Sequence, residues 1–348
     1  MRLGDLGERR ILAEILESRY AGRPGMGDDC AVIELSKGVK VVVTTDPCPP
    51  PMAEMVGFPG LYYHGWLLAT INLSDLAAMG ATPTGILTSL ILPRDTTVDE
   101  FVSLLDGIDD CLRPFGANVL GGNIKEDPKM SLSATAIGIC EFPPLTRAGA
   151  QVGDVAFIIG DLGRFWAAVL AYRVNLIQAG AQILEAVSRP RPKIPEGIAC
   201  AQTGVVTSLI DSSDGLYPSL MDLARQSNVA FELDLDALRF DEDVAQLASQ
   251  LGIDPVRFVL GWGDWVLVGT VPRDHFSTLR AAVEHSNGRI NQIGHVVPSR
   301  IPRVTARYRG EEGPLMPLDS ERFAPDSWFT AGLESYVSRL MGDPVIPP

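Results

Sequence analysis

Cysteine is scarce in this sequence, and its few copies follow no pattern. The 348 residues contain five cysteines, an odd number without any C-x-x-C pair: Cys30, Cys48, Cys111, Cys140 and Cys200. A zinc site or a disulfide framework would need cysteines at regular spacings. We therefore expect neither, and we expect reduced thiols in a cytoplasmic protein.

Long apolar runs and an excess of basic charge are also missing. No stretch is apolar enough to span a bilayer, and the N-terminus carries no apolar signal segment. Lysine and arginine total 29 against 43 aspartates and glutamates, so the formal net charge is -14. Nucleic acids and anionic membranes need a basic surface, so we expect neither as a partner. The acidity is compatible with a carboxylate-rich site that Mg²⁺ neutralises.

Several catalytic signatures are absent as well. The four histidines lie in different contexts, without metal-ligand spacing or a paired nucleophile: His64, His275, His285 and His295. The chain has no G-x-x-x-x-G-K loop and no G-x-S-x-G motif. The segment Gly160-Asp161-Leu162-Gly163 lacks the third glycine of a dinucleotide turn, so we interpret it as a structural strand-to-helix turn.

The composition that is present indicates a globular protein of two domains. Hydrophobic residues make up 46% and charged residues 21% of the chain, which is long enough for two cores. Strand-like and helix-like segments alternate in both halves. Residues 145–153 are typical of an inter-domain junction. We therefore expect domains at residues 1–145 and 146–348.

One stretch, Asn72-Leu73-Ser74-Asp75-Leu76-Ala77-Ala78-Met79-Gly80-Ala81, sets polar side chains into an apolar helix. A carboxylate in such company is costly to bury unless something compensates its charge, and a metal ion is the simplest compensator. The alternative is a helix edge from which Asp75 faces water.

Further acidic residues follow turns and strands elsewhere in the chain. Asp28 and Asp29 follow Gly27 in a turn before an apolar strand, and Thr44-Thr45-Asp46 ends the next strand. Asp211-Ser212-Ser213-Asp214 lies at a strand-to-helix junction, where two carboxylates and a hydroxyl are good ligands for Mg²⁺ and phosphate. The alternatives are an Asp-rich turn for the first motif and a helix cap for the last.

A glycine pair offers a weaker signal. Gly121-Gly122-Asn123 follows a short apolar segment, and a Gly-Gly turn would let backbone N–H groups approach a phosphate closely.

Together, and in this order, these motifs closely resemble those of the thiamine-monophosphate kinase family. This family belongs to the superfamily of aminoimidazole ribonucleotide (AIR) synthase, selenophosphate synthetase and the hydrogenase maturation protein HypE. The motifs that carry the resemblance are Gly27-Asp28-Asp29, Thr44-Thr45-Asp46, the stretch from Asn72 to Ala81, Thr146-Arg147-Ala148-Gly149-Ala150 and Asp211-Ser212-Ser213-Asp214-Gly215-Leu216. The resemblance covers about residues 25 to 300.

The resemblance implies an α/β (α+β) fold of two AIR-synthase-like domains. The N-terminal sheets of two subunits would form a shared barrel, so that the protein is a homodimer. ATP would lie between the domains as co-substrate, with Mg²⁺ on its phosphates and a small molecule as acceptor.

The same resemblance implies roles for individual residues. Metal binding falls to Asp29, Thr44, Thr45, Asp46, Asp75, Asp211 and Asp214, of which Asp75 and Asp214 also act in catalysis. ATP contacts fall to Gly122, Asn123, Arg147 and Ser213.

The sequence departs from the family in its substrate half. Asn123 stands where the family has aspartate, and the family's substrate histidine is absent from the region of Pro49 to Glu54. The family's Gly-Gly-Glu-Asp-Tyr-Glu-Leu appears as Gly261-Trp262-Gly263-Asp264-Trp265-Val266-Leu267, so both glutamates are replaced. Asp264 and Trp328 are the candidate substrate residues, although each tryptophan suits a core or an interface equally well.

Three functions follow from these observations. The first is an ATP- and Mg²⁺-dependent kinase of the thiamine-monophosphate kinase type, acting on thiamine phosphate or another small molecule. The second is an AIR-synthase-related ligase or dehydratase that phosphorylates an amide or carboxyl oxygen. The third is a non-catalytic nucleotide-binding protein, which the altered Asn123 favours and the retained Asp75 opposes.

Overall fold

The structure, a computed structural model, describes residues 2–20, 26–35, 38–318, 320, 322–323 and 328–347. The described residues form one five-stranded and one seven-stranded β-sheet, each packed with helices. The mixed α/β character expected from the sequence is therefore confirmed.

A short helical segment precedes the first sheet. It consists of helix α1 (Glu8–Arg10) and a π-helical continuation (Ile11–Glu17), and we call the two together the N-terminal helix. Its ends are tied to the second half of the chain, because the Glu8 N–H donates to the Arg322 carbonyl and Glu17 pairs with Arg225.

The first sheet has the strand order β1-β2-β5-β3-β4. Its strands are β1 (Ala31–Glu34), β2 (Lys40–Pro47), β3 (Thr82–Leu92), β4 (Asn118–Glu126) and β5 (Ser131–Cys140). Only β3 and β4 run parallel to each other. Helices α2 (Leu61–Ala78) and α3 (Val98–Leu112) belong to this half, and α2 packs against β2 and β5.

The opposite face of the first sheet is uncovered in the described chain. Alternate residues of β2 and β5, such as Val42 and Ala136, are buried on the helix side. Their neighbours turn the other way and form what we call the open sheet face: Ile33, Val41, Val43, Leu87, Ile137 and Ile139. Apolar side chains on a solvent-facing sheet mark an interaction surface.

The second sheet has the strand order β12-β11-β8-β10-β6-β9-β7. Its strands are β6 (Val155–Ile159), β7 (Ser208–Asp211), β8 (Ala230–Asp234), β9 (Leu267–Val271), β10 (Ile290–Val297), β11 (Arg303–Tyr308) and β12 (Glu311–Pro314). The helices of this half are α4 (Arg164–Arg173), α5 (Glu185–Ser188), α6 (Ile194–Thr203), α7 (Leu216–Ser227), α8 (Glu242–Leu251), α9 (Val256–Leu260), α10 (Phe276–His285), α11 (Trp328–Ala331) and α12 (Leu333–Gly342).

Helix α2 joins the two halves. It is apolar on nearly all sides, as expected for a helix surrounded by other elements. Besides the first sheet it contacts α3, α6 and β7. Ala77 of α2 lies so close to α6 that only a glycine fits at position 197, where a Cβ atom would be 2.0 Å from the Ala77 carbonyl oxygen.

One local expectation from the sequence is wrong. Gly121, Gly122 and Asn123 do not form a turn but lie inside the uninterrupted strand β4. The glycines serve strand pairing, because a Cβ atom on Gly122 would be 2.3 Å from the Thr88 hydroxyl, and the pairing shifts by one residue beside Gly121.

Other elements agree with the sequence or were missed by it. The helix expected at Leu61 to Met79 and the strand at Val39 to Thr45 are confirmed within two residues. Helices α6 and α8 and strands β11 and β12 were not predicted. Among the described residues, no helix is both long and apolar enough to cross a membrane.

Candidate active site

Four acidic residues from distant parts of the chain come together where the two sheets approach each other. Asp29 lies in the turn before β1, Asp46 near the end of β2, Asp75 on α2 and Asp211 at the end of β7. The local sequence explains the position of each aspartate. Three of them lie in a turn or near the end of a strand, where side chains reach the edge of a sheet, and Asp75 lies in the polar patch of a buried helix.

The carboxylates are close enough to share one cation. Oxygen atoms of Asp29, Asp75 and Asp211 all lie within 4.8 Å of one another. The Thr44 hydroxyl donates to Asp75 Oδ2 at 2.6 Å, and the Ser74 hydroxyl donates to Asp211 Oδ2 at 2.7 Å. These hydroxyls fix the rotamers of the two carboxylates.

The crowding of acids changes their protonation. Burial raises the pKa of Asp211 to about 8, and the charge of Asp29 adds to the effect. Burial also raises the pKa of Asp75 well above its usual value, as do the neighbouring charges of Asp211 and Asp46. Carboxylates that resist ionisation in isolation gain most from a cation placed between them.

Arg147 supplies a positive charge beside the cluster. Its Nη2 donates to Asp29 Oδ1 at 2.7 Å, and its backbone N–H donates to Asp28 Oδ1 at 2.9 Å. The other oxygen of Asp29, Oδ2, is buried and accepts no hydrogen bond from any described residue. An orphaned buried carboxylate oxygen next to two further carboxylates fits a bound divalent cation.

Asp214 stands apart from this group. Its Oδ1 accepts a hydrogen bond from the Ser320 hydroxyl at 2.9 Å, and its Oδ2 lies 3.7 Å from Nη2 of Arg9. Its side chain is 47% exposed to the cleft, which Ser213 also lines.

Asp46, Asp75, Asp211 and Asp214 line a cleft whose other walls are aromatic and proline-rich. The cavity measures about 210 Å³. Its apolar lining includes Pro49, Pro50, Pro51, Tyr63, Phe165, Trp262, Trp265, Trp328 and Phe329. Trp262 stacks on Trp328 with ring centroids 5.3 Å apart, and its own buried indole N–H has no acceptor among the described residues.

Asp264 lies outside this cleft. Its two oxygens accept the backbone N–H groups of Gly163 at 2.6 Å and Phe165 at 2.8 Å, at the start of α4. In the sequence it is the acid that remains of the family's Gly-Gly-Glu-Asp-Tyr-Glu-Leu motif, and it was a candidate substrate residue for that reason. The structure gives it a capping contact, and its contact with a substrate stays a prediction.

Three other predicted residues are also separated from the cluster. Gly122 and Asn123 lie on edge strand β4, three strands from Asp46, which is roughly 14 Å across the sheet. The Thr45 hydroxyl donates to the Ala134 carbonyl and accepts from Thr135, on the face away from Thr44 and Asp46. Their roles stay predictions.

Several residues in or beside the cleft were not assigned to the site from the sequence. Ser74 was seen as polar but was not assigned to the site, although it orients Asp211. Glu8 and Arg9 come from the N-terminal helix, where their only signal is charge on an amphipathic segment. Pro49 to Met52 belong to the region of Pro49 to Glu54, which the sequence marks only by the absence of the family's substrate histidine.

Two family models match the chain, one in each half. Residues 27–140 match the AIR synthase related protein, N-terminal domain, and residues 151–307 match the AIR synthase related protein, C-terminal domain. The first match ends before the junction expected at residues 145–153, and the second begins within it.

Individual proteins are similar to the chain across most of this span. A thiamine-monophosphate kinase of Methanopyrus kandleri is 33% identical over 200 residues, which are 58% of this chain and 63% of that protein. A thiamine-monophosphate kinase of Mycobacterium tuberculosis strain H37Rv is 31% identical over 75% of this chain and 79% of its own length. The chain thus spans less than two thirds of the first relative.

A solved structure has the same architecture. The structure named AaThiL complexed with AMPPCP and TMP superposes with a TM-score of 0.78 at 25% identity. The superposition covers 92% of this chain and 99% of that one. The two-domain fold expected from the motifs is therefore confirmed.

Proposed function

The chain belongs to the AIR synthase related family, and from this premise we propose that it is an ATP- and Mg²⁺-dependent kinase of the thiamine-monophosphate kinase type. It transfers the γ-phosphoryl group of ATP to a small phosphorylated acceptor, with thiamine monophosphate as the first candidate. The relatives named thiamine-monophosphate kinase and the similar structure with AMPPCP and TMP support this proposal.

The observation that carries the proposal is the convergence of Asp29, Asp75 and Asp211, whose oxygens lie within 4.8 Å of one another. Phosphoryl transfer needs positioning and charge neutralisation more than it needs a covalent intermediate. A compact set of carboxylates at one end of an apolar cleft is suited to both tasks.

The residues present fit Mg²⁺, because carboxylate oxygens are its preferred ligands and Asp29 Oδ2 has no other described partner. Asp29, Asp75 and Asp211 would hold it, and Asp46 and Asp214 line the same cleft. When bound, it supplies charge neutralisation to the phosphate oxygens.

The chain's own residues supply the remaining chemistry. Thr44 and Ser74 hold the carboxylates of Asp75 and Asp211 in fixed orientations. Arg147 keeps Asp29 in place through Nη2, while its Nη1 lies 3.9 Å from Asp222 Oδ2. Its positive charge beside the cluster would favour a bound phosphate. The apolar walls exclude water, so that the phosphoryl group reaches the acceptor oxygen and not a water molecule.

The acceptor lies against the aromatic end of the cleft in this proposal. Trp262 and Trp328 offer flat, apolar surface, and the indole N–H of Trp262 lacks an acceptor that a ring nitrogen or phosphate oxygen could provide. Phe329 adds further apolar wall. This end suits a planar heteroaromatic phosphate, of which thiamine monophosphate is one.

The test is to incubate the purified protein with ATP and Mg²⁺, with and without thiamine monophosphate, and to quantify every product. We expect ADP and thiamine diphosphate in equal amounts, formed only when the acceptor is present. ADP with free phosphate and no phosphorylated product would point to the ligase or dehydratase reaction. Nucleotide binding without turnover on a panel of planar phosphates would point to a non-catalytic protein.

We also propose that the protein is a homodimer formed through the open sheet face. Ile33, Leu87 and Ile139 are 49%, 42% and 40% exposed there, which is high for apolar residues on one face of a sheet. A second copy of the same face would bury them symmetrically.

We propose a cytoplasmic location as well. All five cysteines are free thiols, and four of them are buried. Free buried thiols are typical of a reducing compartment.

A further inference from the structure

A basic segment between α5 and α6 faces a second cavity, outside the cleft described above. Residues 189–193 read Arg-Pro-Arg-Pro-Lys and form neither helix nor strand. All three basic side chains line a cavity of about 190 Å³, which we call the basic cavity. A chain with a formal net charge of -14 thus gathers three cations at one small cavity. The proposed kinase reaction makes no use of them.

The prolines of this segment prearrange its cations. A proline disfavours the helical conformation of the residue before it, so Arg189 and Arg191 stay outside the flanking helices. Side chains two residues apart in a non-helical, extended segment point to the same side. The segment is anchored to helix α2, because the Trp66 indole N–H and the Thr70 hydroxyl donate to the Pro190 carbonyl at 2.8 and 3.0 Å.

Lys193 is the residue that most clearly lacks a partner. It is only 7% exposed, and its methylene chain lies against Gly160, where a Cβ atom would be 3.0 Å from Lys193 Cε. Its Nζ makes no hydrogen bond or ion pair with any described residue, and it is not enclosed by protein atoms, so it faces the basic cavity. Asp264 lines the same cavity, but its oxygens accept backbone N–H groups of α4. A buried ammonium group without an acceptor is costly, and an anion in the cavity would satisfy it.

The other charged residues of the basic cavity already have partners. Glu185 accepts a hydrogen bond from Arg189 at 2.6 Å, and Asp161 lies 3.6 Å from Arg289. Arg164 is paired with two aspartates that precede or begin α8. The acids of the lining therefore do not neutralise Lys193.

We propose that Lys193 and Arg191, with Arg189 beside them, bind the phosphate group of a small molecule at a site separate from the cleft. Lys193 is buried and marks the inner end of the site, whereas the exposed Arg191 marks its mouth. Phosphate oxygens accept strong, charge-assisted hydrogen bonds from both side chains. Pro190 lines both the basic cavity and the cleft and forms the wall between them.

The test is a calorimetric titration of the full-length protein with pyrophosphate in the presence of EDTA. Without divalent cations, the carboxylates of the cleft repel this anion, so the measurement reports on the basic cavity. We expect one binding event per chain. Lys193→Met should lower the affinity about ten- to a hundredfold, as for loss of a hydrogen bond to a charged group.

The matched control is Lys129→Met, which removes an exposed lysine from the turn between β4 and β5. It lowers the net charge of the protein by the same amount and should leave the affinity within about twofold of the starting protein. No heat with the starting protein, or equal affinities of Lys193→Met and Lys129→Met, would overturn the proposal.

If Lys193→Met does not fold, Arg191→Gln decides the question, because its side chain is exposed and has no partner among the described residues. We expect it to weaken pyrophosphate binding at least about threefold. Unchanged binding in Arg191→Gln would then reject the site. Turnover is not part of this measurement, so its failure would leave the kinase function intact, and a protein without kinase activity could still confirm the basic cavity as a phosphate site.

Discussion

At the scale of single residues, the carboxylates of the cleft are energetically unfavourable as they stand. Asp75 and Asp211 are held close together, and burial raises the pKa of both. A protein that keeps such a cluster sacrifices stability in exchange for a function, and binding a cation is the function that the donor set indicates.

Replacement of Asp75 should weaken nucleotide binding without lowering the stability of the folded state. We expect Asp75→Asn to weaken Mg²⁺-dependent nucleotide binding at least about tenfold, because one anionic ligand is lost. The folded state should be as stable as before, or more stable, because a buried charge is removed. Calorimetric titration and urea unfolding measure the two effects.

The matched control for this variant is Asp106→Asn, an exposed aspartate of α3. It should leave nucleotide binding unchanged. Unaltered nucleotide affinity in Asp75→Asn would place the metal elsewhere.

Asp264 should contribute a pH dependence to stability. Burial raises its pKa to about 7, above the usual value near 4 for an aspartate. Between these values the folded protein binds more protons than the unfolded chain, so Asp264 makes the stability fall as pH rises from about 4 to 7. Above pH 7 this contribution is level.

In the variant Asp264→Asn, the free energy of unfolding should depend less on pH between about 4 and 7, with a slope smaller by up to about 1 kcal/mol per pH unit. Urea unfolding between pH 4.5 and 8 measures it, with Asp99→Asn at the exposed start of α3 as the control. An identical slope in Asp264→Asn and the starting protein would show that Asp264 does not titrate in this window.

Single residues also show what the sequence could and could not provide. Asp75 and Asp211 were predictable because a carboxylate among apolar residues, or at a strand end, is unusual in itself. The capping contact of Asp264 depends on the position of α4, about a hundred residues earlier, and left no local trace. In the sequence, Arg9 cannot be distinguished from any other charged residue of a helix. Only the fold brings it close to Asp214.

At the scale of elements, the cleft depends on how closely α2 can approach its neighbours. Helices α2 and α3 cross at two glycines. A Cβ atom on Gly107 would be 1.9 Å from the Tyr62 carbonyl oxygen, and one on Gly65 would be 2.0 Å from that of Leu104. Backbone atoms cannot yield as side chains do, so a methyl group here would push α2 away from β2 and β7.

Gly107→Ala should therefore destabilise the protein by about 1–3 kcal/mol or more. The control is Gly342→Ala at the end of α12, where an added Cβ would meet nothing within 4 Å. We expect that variant to be neutral or slightly stabilising. Urea unfolding of both variants provides the comparison, and equal stabilities would contradict the close contact between α2 and α3.

Elements differ in how well the sequence predicted them. The apolar runs of α2 and β2 were sufficient to predict these two elements, because their patterns are long and uninterrupted. Strand β4 was mistaken for a short strand and a turn, since its glycines are required by pairing with Thr88 and not by a reversal of the chain. Strands β11 and β12 lie in a proline- and glycine-rich segment. Strand β11 forms because β8 offers an edge, and β12 pairs in turn with β11.

At the scale of the whole molecule, the open sheet face predicts association. We expect Ile139→Glu, which places a charge on the middle strand of that face, to shift the protein from dimer to monomer at micromolar concentration. Sedimentation velocity measures the change. Val174→Glu, at a 57% exposed position after α4, is the control and should leave the mass unchanged.

A monomeric starting protein would contradict the proposed dimer. So would an Ile139→Glu variant that remains dimeric, since the buried charge should not be tolerated within the interface.

The cleft as a whole could be predicted only through the resemblance of several motifs taken together. No single pattern in the sequence states that β2, α2 and β7 converge, because that convergence is set by the packing of two sheets through α2. The acceptor end could not be predicted, since its walls combine Pro49 to Pro51 with Trp262 and Trp328 from distant segments.

The most direct test of the account is a crystal structure of the protein grown with Mn²⁺ in place of Mg²⁺ and with a non-hydrolysable ATP analogue. Anomalous scattering then locates each metal ion without ambiguity. We expect manganese bound by Asp29, Asp75 and Asp211, with the triphosphate on it and the γ-phosphate facing the aromatic end of the cleft. Manganese absent from these three carboxylates, or a triphosphate bound outside this cleft, would contradict it.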